Sequence, residues 1–159
     1  MAMHKLFMDD FYDESFKLIA VHCNLEDYRL AYLLNKSLNL KLKRCQDDLD
    51  FEYFKSSYAI YEWENTSEYI TWHLVANICK KEEDSLYSSG TLFQDSQRVL
   101  KTFNLIPEYK NVNYFIKISN EISDLNDKVV LNKINRIPQI ITSYSVDPAK
   151  LKSKDYLIF

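Results

Sequence analysis

Apolar positions along this chain come in short blocks, and the spacing within a block changes from one to the next. Phe16-Lys17-Leu18-Ile19-Ala20-Val21-His22-Cys23 is a short apolar run of the kind that predicts a central strand. Asn24 then offers a helix N-cap, and Glu26 and Asp27 suit the positive end of a helix. Leu25, Tyr28, Ala31, Tyr32 and Leu38 recur at helical spacing, with Leu30, Leu33 and Leu34 broadening the stripe. Leu40-Lys41-Leu42-Lys43 switches to alternation, which predicts a strand with one wet face. The chain therefore opens on a strand–helix–strand unit.

The middle reads as antiparallel sheet. Tyr58 to Trp63 and Tyr69 to Ile78 are rich in aromatic and β-branched residues and flank a polar turn, Glu64 to Glu68, as in a hairpin. Ile70, Trp72, Leu74, Ala76 and Ile78 alternate and should share the buried face, which leaves His73 on the surface or on the other sheet face. Lys80 to Ser89 is polar and charged and reads as a mobile loop. Val99 to Ile106 and Val112 to Ile118 are two further strands, joined across Pro107.

The last third repeats the opening order. A strand from Tyr114 ends at Asn120, a stripe at Ile122, Leu125, Val129, Val130 and Ile134 predicts a helix, and Ile137 to Tyr144 is a strand with Pro138 near its start. Asn24 followed by Leu34-Asn35-Lys36 is echoed by Asn120 followed by Leu131-Asn132-Lys133. Two strand–helix–strand halves around a hairpin-rich middle point to an α+β fold, mainly antiparallel sheet with two helices, and suggest a ferredoxin-like sheet with an inserted hairpin. The tail ends in Tyr156-Leu157-Ile158-Phe159, apolar enough to be docked on the body or on a partner.

Composition narrows the class. A chain of 159 residues favours a single domain, 1–159, with the segment 1–14 read as a mobile N-terminal stretch. The chain has 1 Gly, which leaves almost no room for Gly-lined phosphate loops and assigns tight turns to Asn, Asp and Ser. The net charge of -3 supplies no basic field for nucleic acid, and the basic Lys41, Lys43 and Arg44 are followed at once by Asp47, Asp48 and Asp50. The 3 cysteines, Cys23, Cys45 and Cys79, are widely spaced, which argues for a reducing compartment. The N-terminus lacks the form of a signal peptide, and the apolar runs are too short to span a bilayer, so a cytoplasmic, soluble protein with no membrane partner is expected.

Candidate chemistry is thin. His22, Cys23, Cys45 and Cys79 have no zinc-ribbon spacing, and adjacent strand residues such as His22 and Cys23 point to opposite faces, so they are read as structural and no metal is expected. A Cys–His nucleophile would need a nearby base and an oxyanion site, and no motif supplies either, so no residue is read as catalytic and no cofactor is expected. Tyr109, Tyr114 and Phe115 could stack on single-stranded RNA, but the basic-aromatic signature and its glycines are missing.

The stretch Ile106-Pro107-Glu108-Tyr109-Lys110-Asn111-Val112-Asn113-Tyr114 resembles the signature of the IPExxxVDY family, small bacterial proteins without an assigned activity. Ile106, Pro107, Glu108, Val112 and Tyr114 match the pattern; Asn113 stands where the family has Asp. An obligatory catalytic acid is hard to reconcile with Asn, whereas a capping or turn acid is easily replaced by it. Glu108, Asn113 and Tyr114 remain candidate ligand- or partner-binding residues, with Glu108 the one most open to a functional role.

The high content of Tyr, Phe and Trp and the apolar tail suit interfaces. They point to a non-enzymatic interaction or structural module, associating with itself as a homodimer or with another protein. The alternatives are a small-molecule-binding domain or unrecognised enzyme with a pocket near Glu108, and an RNA-associated protein.

Overall fold

The computed structural model describes residues 16–53, 55–84, 98–120 and 125–159. Its strands are β1 (Phe16–Cys23), β2 (Lys43–Arg44), β3 (Leu49–Phe51), β4 (Ser56–Tyr58), β5 (Ile60–Asn65), β6 (Ile70–Ala76), β7 (Ile78–Asp84), β8 (Arg98–Asn104), β9 (Tyr114–Asn120) and β10 (Ile140–Val146). The helices are α1 (Asp27–Leu38) and α2 (Asp127–Asn135). Six strands form one sheet in the order β10-β1-β9-β6-β5-β2, and β3–β4 and β7–β8 form separate two-stranded ladders. All neighbours in the large sheet are antiparallel. The fold is thus α+β, mainly antiparallel, with two helices.

The four strands β10-β1-β9-β6 carry the antiparallel order of a ferredoxin-like sheet, with α2 leading from β9 past β1 to β10. The first crossover reaches farther: α1 leads from β1 to β2 at the opposite edge, and β5 lies between that edge and β6. The chain from β6 to β9 then makes the separate β7–β8 ladder.

Because every central strand is covered on both sides, its alternate residues feed two cores. One core sets Ile19, Val21, Trp72, Leu74, Ile116 and Ile118 against Leu30, Leu34, Val130 and Ile134 of the helices. The other sets Leu18, Ala20, Val75 and Phe115 against Ile106, Val112, Leu151 and Leu157, which belong to no long element. The first is the helix face and the second the tail face.

The helices end in matching ways. Asn35, in the last turns of α1, donates from its amide to the Leu42 carbonyl at 3.1 Å and accepts from the Leu42 N–H at 2.8 Å. Asn135, at the end of α2, makes the same pair with Ser143 at 3.3 and 2.9 Å. The internal repeat is therefore real in function, but Asn35 corresponds to Asn135 and not to Asn132. Asn39 closes α1 in the left-handed region, φ 56°, the place where Gly is usual and Asn the next choice.

Several expectations need correction. Tyr28 and Tyr32 face solvent while Leu30, Ala31 and Leu34 are buried, so the apolar stripe of α1 is turned from the one expected. The N-cap position of α1 is Glu26, not Asn24. The Tyr58–Trp63 run splits after Tyr58 between two sheets, and the Tyr69–Ile78 run splits at Asn77. Lys80 to Asp84 is not loop but the body of β7, paired with β8; residues 85–89 lie outside the described residues, as do 1–14 and Ile122. β8 and β9 are joined across Pro107 but lie in different sheets: β8 pairs with β7, and β9 lies between β1 and β6. The strand expected over Leu40–Lys43 is only Lys43–Arg44. Among the described residues no helix is long and apolar enough to cross a membrane.

Candidate functional site

The signature begins where β8 ends. Ile106 and Val112 are buried in the tail-face core and anchor the two ends of a short excursion. Between them Pro107–Tyr109 makes one 3₁₀ turn, in which proline at the first position loses no needed N–H. Tyr109 N–H donates to the Ile106 carbonyl at 3.0 Å, and Val112 N–H to the Tyr109 carbonyl at 3.2 Å.

That turn is held from beneath by Asn77, which is fully buried between β6 and β7. Its side-chain amide donates to the carbonyls of Tyr109 and Val112, both at 2.8 Å, and its oxygen accepts from the Ile106 N–H at 2.8 Å. Its main chain adds a bond to the Asn113 carbonyl and one from the Leu105 N–H, each 2.9 Å. A buried amide whose groups all find partners fixes the backbone around it.

The three candidate residues point to three different places. The exposed Glu108 carboxylate accepts from the Ser153 hydroxyl at 2.9 and 3.0 Å and lies 3.4 Å from the Ser153 N–H, so it pins the C-terminal tail. Asn113 donates its main-chain N–H to the Val21 carbonyl at 3.1 Å, and its side-chain oxygen accepts from the Cys23 N–H at 3.1 Å. This is where the β1–β10 register breaks, between His22 and Cys23, and a break leaves a main-chain group needing a partner. Tyr114 lies on the helix face, where its hydroxyl donates to the Leu25 carbonyl at 2.7 Å and burial raises its pKa well above the ordinary tyrosine value. Two surface cavities, of about 280 and 380 Å³, are present, and none of these three side chains lines either.

The stacking residues are also inside. Phe115 is fully buried and Tyr114 nearly so, while the half-buried Tyr109 ring meets Phe115 edge-on at 6.3 Å. His22 pairs with the Tyr144 hydroxyl at 3.1 Å through Nε2. Burial pushes the Cys23 and Cys45 thiols up, away from the reactive thiolate. Among the described residues no three His, Cys, Asp or Glu side chains gather as metal ligands.

One polar group of the tail face escaped the sequence reading. Glu62, His73 and Lys117 are cross-strand neighbours in one row over β5, β6 and β9. His73 and Lys117 are 6% and 4% exposed, so of the two places open to His73, the surface or a sheet face, it takes a buried sheet face. Lys117 Nζ donates to the Leu157 carbonyl at 2.7 Å and lies against the rings of Phe16 and Phe159 at 4.8 and 4.7 Å. His73 Nε2 is 3.5 Å from Glu62, and its ring meets Phe159 edge-on at 5.0 Å. Burial lowers the His73 pKa, with Glu62 opposing and Lys117 adding to the shift. A lone lysine inside the apolar run Tyr114–Ile118 was the available signal for this row.

No protein-family model, curated protein or solved structure matches this chain.

Proposed function

We propose that the protein is a non-enzymatic interaction module that pairs with a second copy of itself along the outer edge of β10. The contrast between the two edges of the large sheet carries this reading. β2, at one edge, is two residues long, and both, Lys43 and Arg44, are exposed cations. Short charged strands are the usual protection of a sheet edge against pairing. β10, at the other edge, has seven residues, IITSYSV, with neither a charge nor a proline. Among the described residues no strand pairs with its outer side, where the Asn135 side chain holds the N–H and carbonyl of Ser143.

The register of β10 on β1 skips Ile141, so a bulge interrupts that end and the regular ladder runs from Thr142 to Val146. A two-fold axis through Tyr144 would set Thr142 against Val146 and Ser143 against Ser145, with the two Tyr144 rings across the axis and the Asn135 side chain displaced from the Ser143 main chain. Aromatic cross-strand pairs are favourable, and no like charges meet. Ile141, 68% exposed, would add apolar surface beside the seam.

The test is light scattering on the purified protein over a concentration series, with dissociation expected at roughly tens of micromolar for so small a seam. Tyr144→Lys and Tyr144→Glu should each be monomeric, and an equimolar mixture of the two should dimerise again. A strict monomer at high concentration, or a dimer indifferent to Tyr144, rules the seam out.

A ligand pocket built on Glu108, Asn113 and Tyr114 has weaker support, because the three side chains diverge. RNA binding has weaker support still, since the rings that would stack lie in the cores. A cytoplasmic place suits the free thiols of Cys23, Cys45 and Cys79. Kinship with the IPExxxVDY proteins rests on the five matching residues, of which Ile106 and Val112 are anchors and Glu108 a tail clamp.

A further inference from the structure

We infer that the C-terminal tail, residues 154–159, is an acid-released strap whose latch is the buried row of His73 and Lys117. The strap pivots at Ser153, whose hydroxyl is held by Glu108 at 2.9 and 3.0 Å. Beyond that point Leu157 is buried and Ile158 is turned out to solvent. Lys117 Nζ donates to the Leu157 carbonyl at 2.7 Å and reaches the Phe159 carbonyl at 3.4 Å. The Phe159 ring closes the row, 4.7 Å from Lys117 Nζ and edge-on to the His73 ring at 5.0 Å.

The latch holds while His73 is neutral. A carboxylate only accepts, so with Glu62 3.5 Å from Nε2 the ring proton belongs on Nε2 and Nδ1 is left as a bare acceptor. Among the described residues Nδ1 is buried and has no hydrogen-bond partner. A proton added there creates a buried N–H without an acceptor, directly across the ladder from the Lys117 ammonium. Burial opposes that proton first, Glu62 from β5 favours it, and Lys117 from β9 opposes it. The exposed Lys43 of β2 stands across from Glu62, and the charges at the base of the tail, Lys154 and Asp155, are of opposite sign.

The tail is the part that yields. β6 is bonded on both sides, to β5 and β9, so His73 stays in place. The tail belongs to no ladder and is held over the row by Lys117 and by its packed side chains. Lifting Phe159 lets water reach Nδ1 and hydrate the second charge, so proton uptake and tail release are linked.

Hydrogen exchange on the full chain from about pH 7.5 to about pH 5, corrected for the intrinsic pH dependence of exchange, tests the inference. The Tyr156 amide bonds the Ser153 carbonyl at 3.0 Å and reports on the strap. Its opening constant should exceed that of the Leu34 and Ile134 amides throughout. Below the ordinary histidine value it should rise by up to roughly tenfold per pH unit, the slope of one proton. His73→Phe should remove the rise. Glu62→Gln, at an exposed position, should enlarge it, because the docked imidazolium loses the carboxylate that favours it, and this arm stands even where His73→Phe does not fold. A tail opening that stays flat with pH, or one equal to that of the helices at every pH, overturns the strap. A rise that His73→Phe leaves intact, or that Glu62→Gln diminishes, overturns His73 as its latch.

Discussion

The two faces of the six-stranded sheet receive alternate side chains from the same strands, yet they are closed by different means. Over the helix face, α1 and α2 lay down a repeating stripe in which Leu30, Leu34, Val130 and Ile134 are each buried. Over the tail face the cover is made of pieces with no repeat: the signature turn, the tail and the β3–β4 hairpin. Those pieces are fixed by a few polar groups, Asn77, Glu108 and Lys117. Packing spread over many side chains degrades gradually, whereas a cover held by single hydrogen-bonding groups fails at those groups.

Asn77→Ala is the sharpest way to break the comparison. It strands the Ile106 N–H and the carbonyls of Tyr109 and Val112 in the interior, at a cost of about 3–5 kcal/mol in urea unfolding. Leu34→Ala, on the helix face, should cost about 2–5 kcal/mol from the cavity it leaves. The two losses overlap in size but should differ in distribution. Hydrogen exchange should show Asn77→Ala releasing residues 105–113 and the tail ahead of global unfolding, and Leu34→Ala lowering protection throughout. Uniform loss in both variants would mean that the two faces form one cooperative unit.

Lys117→Met keeps most of the apolar stem and removes the donor to Leu157, so it should cost about 1–3 kcal/mol and free the tail while the helix amides stay protected. His73, beside it, gives the tail face a dependence on acid pH. Because burial lowers its pKa in the folded protein, the unfolded chain takes up the proton first. The neutral imidazole thus contributes fully above its ordinary value of 6.5, and that contribution is lost as the pH falls below it through the folded value. Denaturation midpoints compared at about pH 7.5 and 5.5 should fall on acidification, and His73→Phe should flatten the difference. Glu62, which favours the charged form, limits its size.

The same contrast sets what could be read from the chain. β1 was legible to both ends because a run apolar on both faces has only one comfortable place, the middle of a sheet. Trp72 and Leu74 were placed inward by alternation alone. The phase of α1 was not legible, because Leu, Ala and Tyr surround the helix and periodicity cannot rank Tyr32 below Leu34. On the tail face, the burial of His73 was not legible because alternation assumes one dry side, and β6 has two. The Glu108–Ser153 bond spans 45 positions, so no local pattern announces it. Asn77 looked like an ordinary polar residue at the end of a strand, since its role depends on a turn 29 to 35 positions away.

The smallest effect is expected at the position where the signature departs from its pattern. Asn113 serves the fold with one side-chain atom, the oxygen that accepts from the Cys23 N–H beside the register break. Asp offers an oxygen at the same place, so Asn113→Asp should change stability by no more than about 0.5 kcal/mol. Asn113→Ala offers none and should cost about 1–2 kcal/mol, with faster exchange at the Cys23 amide. If Asn113→Asp is instead the more damaging of the two, its charge is the cause, since the hydrogen bond is retained. The site would then be selecting a neutral side chain, and the Asn of this protein would mark a divergence in the surroundings of Cys23 and Tyr114 rather than an interchangeable cap.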